Sequence, residues 1–158
     1  MSRLTVWTFL VAGLLSVGTA GSTAAQQTTS LGTIDFPVSV TSVEAKEHFL
    51  QGAMMLHSFE WEDAAEAFQA AQQVEPDFTM AYWGEALSHT TGHHFPAGQN
   101  LAAAREVLSR LAETREERAA KAQTAREKDY LAAVEALYGP GDAQERAPAY
   151  SEAMGQMH

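Results

Sequence analysis

Beyond residue 42, apolar residues recur at helical spacing along most of the chain. Ala45, Phe49, Gly52, Ala53 and Leu56 stand at i, i+4, i+7, i+8 and i+11, one stripe along a helix from Val43 to Ser58. Thr41-Ser42-Val43-Glu44 ahead of it has the form of a capping box. Gly52 lies within the stripe, where a helix-interior glycine costs up to about 1 kcal/mol against alanine. Its place therefore predicts close approach of a partner helix. After a corner at Phe59-Glu60-Trp61, Glu62 and Asp63 put negative charge at the positive end of a second helix, which runs to Val74. Ala64, Ala67, Phe68 and Ala71 form its inner face, and polar Gln72 marks the edge of that face. Pro76 and Asp77 stop it. Asp77 is also placed to cap a third helix, Phe78 to His89, with Met80, Trp83, Ala86 and Leu87 on one side and Tyr82 beside them.

The pattern breaks between Thr90 and Gln99, where two glycines and a proline make a loop. Asn100 then caps a helix to Ala112, with Leu101, Ala104, Val107, Leu108 and Leu111 inward. Capping boxes recur at Thr114–Glu117 and Thr124–Glu127, so 114–138 is either one long helix or two with a break near Thr124, the break being favoured. Tyr130, Ala133, Val134, Leu137 and Tyr138 stripe the later one, and Gly139-Pro140-Gly141 ends it. A last helix opens at Ala147 with Pro148 in its first turn, where proline is tolerated. Tyr150 and Met154 begin an apolar stripe that no polar helix follows. That is the expectation for an N-terminal fragment of a longer array, or for an end that pairs with a partner.

Ahead of the helices, Ile34, Phe36 and Val38 alternate with polar or small neighbours, and Pro37 limits the stretch to an extended arm or an edge strand. It reads as a lead-in packed against the first hairpin. The first residues read as an export signal: Arg3, a mostly apolar run from Leu4 to Val17, then small and polar residues to Ala25. An apolar run of about 14 residues is short for a bilayer, which needs roughly 20. The expected organisation is a signal peptide at 1–25, a flexible junction and extended arm at 26–42, and a helical domain at 43–158, exported to the periplasm or beyond.

Gly52, Ala64, Phe68, Ala71 and Pro76 fall at the spacing of one tetratricopeptide unit. From Phe49 to Pro76 the chain resembles that repeat family, although the family's early Trp and Leu positions hold His48 and Gln51. The string Met55 to Ala64, followed by Met80-Ala81-Tyr82-Trp83-Gly84, is similar to exported bacterial tetratricopeptide proteins with no assigned activity. The resemblance implies an all-α fold of stacked antiparallel helix hairpins, a short α-solenoid. It also implies a non-catalytic scaffold whose concave surface takes a protein or peptide partner, with no cofactor.

Composition narrows this further. The chain has no cysteine, so no disulfide and no lipid attached through an N-terminal cysteine. A formal charge of -10 argues against nucleic acid and against a polybasic membrane patch. No Gly-x-Ser-x-Gly elbow, phosphate-cradling loop or dinucleotide fingerprint is present. Trp61, Tyr82 and Trp83 group around the mouth of the hairpin, where they either anchor a peptide or fill the core between repeats. Glu85, His89 and His93 have the spacing of a ligand trio on successive helical turns, although Gly92 interrupts them. They define the alternative expectation, a metal-binding protein or metal-dependent enzyme.

Overall fold

A computed structural model describes residues 32–90 and 100–157. Among these residues the fold is all-α, with helices α1 (Val43–His57), α2 (Trp61–Val74), α3 (Thr79–Ser88), α4 (Leu101–Leu111), α5 (Arg115–Lys121), α6 (Ala125–Leu137) and α7 (Ala143–Gly155).

The stripes predicted from spacing are the faces that are buried. α1 buries Ala45, Phe49, Gly52 and Ala53. α2 buries Ala64, Ala67, Phe68 and Ala71, and α4 buries Ala104, Val107, Leu108 and Leu111. α1 packs on α2 across a short turn, α2 packs on α3, and α6 packs on α7. α3 contacts α1, α2, α4 and α6, and it buries every residue from Thr79 to Ala86. A helix apolar nearly all round belongs at the centre of a fold, and α3 sits there.

Phe68 fills the space between the first three helices. Its ring lies between Gly52 of α1 and Gly84 of α3. A Cβ built on Gly52 would stand 3.0 Å from that ring, and one built on Gly84 only 2.3 Å. Both helices accept the local cost of glycine so that one large side chain can lie flush between them.

Several helix ends differ from the local signals, each for a reason in the structure. Ser42 alone caps α1, its hydroxyl accepting from the Ala45 N–H at 3.2 Å. Thr41 is drawn away because Glu75, at the end of α2, accepts from its backbone N–H and its hydroxyl. Asp77 does not cap α3; it pairs with Lys121 of α5 at 2.5 Å, and Phe78 holds the cap position without a side-chain bond. α7 begins earlier than its proline suggested, because Asp142 caps it and forms a box with Glu145. Pro148 therefore lies inside α7, on an exposed face. The break between α5 and α6 falls where two boxes demand it, at Thr114 with Glu117 and Thr124 with Glu127. Asn100 caps α4, accepting from the Ala103 N–H at 3.2 Å.

Gln72 is buried at the α2–α3 interface and does not mark its edge. Its amide donates to the Ala81 carbonyl at 3.3 Å and to Glu85 at 2.7 Å. The proposed signal segment 1–25 and the junction 26–30 lie outside the described residues.

Candidate functional site

Residues 32–41 form neither helix nor strand and lie along the helices as an extended arm. Ile34, Phe36, Val38 and Val40 pack against the core, while Thr33, Asp35 and Pro37 face water. The alternation follows from the period of an extended chain, whose successive side chains point to opposite sides. Pro37 fits because its ring is exposed and the arm pairs with no strand, so its missing N–H costs no ladder bond.

Phe36 enters a pocket built by three helices. Its ring centroid lies 5.3 Å from Phe49 of α1, 5.7 Å from Trp83 of α3 and 5.6 Å from Tyr130 of α6. The Phe49 contact is edge-to-face, at 72° between planes, an arrangement that the ring quadrupoles favour. Trp83 and Tyr130 meet each other at 5.2 Å. Arg126 lies over the assembly, its guanidinium carbon 5.4 Å from both the Phe36 and the Tyr130 centroids, within cation–π range.

The arm's backbone is held by carboxylates. Glu127 accepts from the Ser39 N–H at 2.6 Å with one oxygen, and from the N–H groups of Gln123 and Thr124 at 3.1 Å with the other. Glu75 accepts from Thr41 and Ser42, the latter at 2.8 Å. Partial burial pushes the Glu75 carboxyl up, but the bonds from Ser42 and Thr41 outweigh it and leave its pKa below the ordinary 4.5.

The aromatic residues predicted to form one group do different jobs. Trp83 belongs to the wall of the Phe36 pocket. Tyr82 is buried and donates its hydroxyl to the Pro76 carbonyl at 2.9 Å; burial also raises its pKa. Trp61 stands at the α1–α2 corner, where its ring meets Phe59 at 5.7 Å. Phe59 has a φ of 63°, left-handed backbone that a bulky side chain rarely adopts. Together with Leu56, His57, Leu87 and Thr90 these two rings line a shallow apolar cleft of about 290 Å³.

The predicted ligand trio is only partly described, since His93 lies outside the described residues. Glu85 is 1% exposed and its oxygens already have partners: Gln69 at 2.8 Å, Gln72 at 2.7 Å, and Arg110 of α4 in an ion pair. His89 follows α3 and is half-buried; burial lowers its pKa from the ordinary 6.5, against the pull of Glu85. Among the described residues no three His, Cys, Asp or Glu side chains converge as a metal site. No helix of the described residues is long and apolar enough to cross a membrane.

Alternation in 34–38 pointed to the arm. Nothing in the local sequence marked Glu75, Glu127 or Arg126 as its partners: Glu127 reads as a capping-box residue and the other two as ordinary charges. No protein-family model matches the chain, and no curated protein or solved structure does.

Proposed function

We propose that this protein is a non-catalytic helical scaffold, tetratricopeptide-like in its hairpins, that binds an extended peptide segment of a partner protein in the cell envelope. The observation that carries the reading is the seat of the arm. An extended chain already lies across α1, α3 and α6 with alternate side chains inward and a main-chain N–H held by a carboxylate. Backbone bonds of this kind are available to any peptide, while pockets for alternate side chains supply selectivity. The two glycines that admit Phe68 support the hairpin reading, since small residues on first helices against a large residue on the second are what the repeat requires. The signal-like N-terminus supports export.

The test is a titration. A fluorescein-labelled peptide with the sequence of residues 32–42 is added to the chain carrying Phe36→Ala, which weakens the resident arm and leaves the groove's own walls untouched. Saturable binding seen as rising anisotropy, lost when the peptide's own phenylalanine is replaced by alanine, supports the reading. No saturable binding overturns it.

A further inference from the structure

The arm occupies the surface that a partner would need. We propose that residues 34–40 are a resident self-ligand: they close the groove in the isolated chain, and their side-chain pattern describes the partner that displaces them. This rests on the groove reading above and adds its regulation and specificity.

The arm's contacts divide into two sets. Thr41 and Ser42 are tied to Glu75 beside the start of α1, which fixes the point where the arm leaves the helices. The remainder is held by the Phe36 pocket, by partly buried Ile34, Val38 and Val40, and by one bond from Ser39 to Glu127. That second set can lift off while the Glu75 anchor holds. Lifting it opens the pocket walled by Phe49, Trp83 and Tyr130.

The pocket then sets the partner's chemistry. It needs an extended segment with apolar residues at alternate positions and an aromatic ring in the pocket under Arg126. Competition in cis is strong: a tethered segment acts at an effective concentration of about 1 mM. Against an intrinsic dissociation constant of ~10 µM, such an arm suppresses binding from outside roughly 100-fold.

The same labelled 32–42 peptide separates this proposal from the reading beneath it. It is titrated onto the unaltered chain, onto the Phe36→Ala chain and onto a Val38→Asp chain, with helicity of all three checked by circular dichroism. Both arm variants are expected to bind at least about tenfold more tightly than the unaltered chain. Equal affinity for all three chains overturns the self-ligand while leaving the groove standing. Binding to none of the folded chains overturns both.

Discussion

Gly84 faces Phe68 so closely that a Cβ on the glycine would stand 2.3 Å from the ring. No real side chain tolerates that distance, so the ring or the helix must move. Gly84→Ala is expected to destabilise the protein by about 1–3 kcal/mol, the usual cost of overpacking a core. Gly52→Ala meets the same ring at 3.0 Å, and there the gain in helix propensity, up to ~1 kcal/mol, offsets the milder crowding. Urea unfolding of the two variants should rank them in that order. Phe68→Leu added to Gly84→Ala should recover part of the loss; no recovery would mean that the ring is not what Gly84 accommodates.

The pair between Glu85 and Arg110 joins a carboxylate 1% exposed to a side chain 42% exposed. Arg110→Ala leaves the carboxylate buried with only two glutamine amides. Its cost should be about 2 kcal/mol, below the ~3–5 kcal/mol of a fully buried pair, because Arg110 is partly screened by water. Replacing both residues, Glu85→Gln with Arg110→Ala, should cost less than the sum of the single changes. Strict additivity in denaturant unfolding would show that the pair is not coupled.

Glu127 serves the α6 cap and the arm at once, and all three of its N–H donors need an acceptor. Glu127→Gln replaces one acceptor oxygen with a donor, which sets like against like. The expected loss is about 1–3 kcal/mol. The Ser39 amide should also exchange with solvent faster in the variant than in the unaltered chain, as hydrogen-exchange NMR can follow. Unchanged protection at Ser39 would remove Glu127 from the arm's latch.

His89 gives stability a pH dependence of definite sign. Burial disfavours its charged form, and Arg110 adds to that, while Glu85 and Glu106 oppose it; the net pKa lies below 6.5. Above pH 6.5 both folded and unfolded chains carry the neutral ring, and stability is undiminished. As the pH falls below that value the unfolded chain takes up the proton first, so stability drops until the folded-state pKa is passed. The melting temperature should therefore fall on acidification from pH 7.5 towards 5. His89→Gln should remove part of that slope, and an identical slope in the variant would exclude His89 as a source.

The periodic elements were legible because their signals are local. Phe49 and Phe68 announce their faces through neighbours one turn away, and the boxes at Thr114 and Thr124 close within a single turn. Apart from the start of α7, where a local signal, the Asp142–Glu145 box, outweighs Pro148, the misread positions involve partners distant in sequence. Thr41 has the right neighbours for a capping box, yet Glu75 from the far end of α2 competes successfully for its donors. Gln72 and Glu85 are polar residues whose burial follows from the packing of α2 against α3, with Arg110 reaching them from α4. The same holds for the candidate site: Phe36 could be read from alternation, but its pocket is assembled from α1, α3 and α6, and no local pattern reports that convergence.

In a linear array each unit touches only its neighbours, and melting can begin at either end and stop partway. Here α3 meets four helices, and Phe36 bolts the first hairpin to α6. Losing α3 strips packing from α1, α2, α4 and α6 at once, whereas α7 leans on α6. Fraying from the first hairpin is thereby discouraged, and α1 to α4 with α6 should melt in a single sharp transition rather than by stepwise loss of repeats.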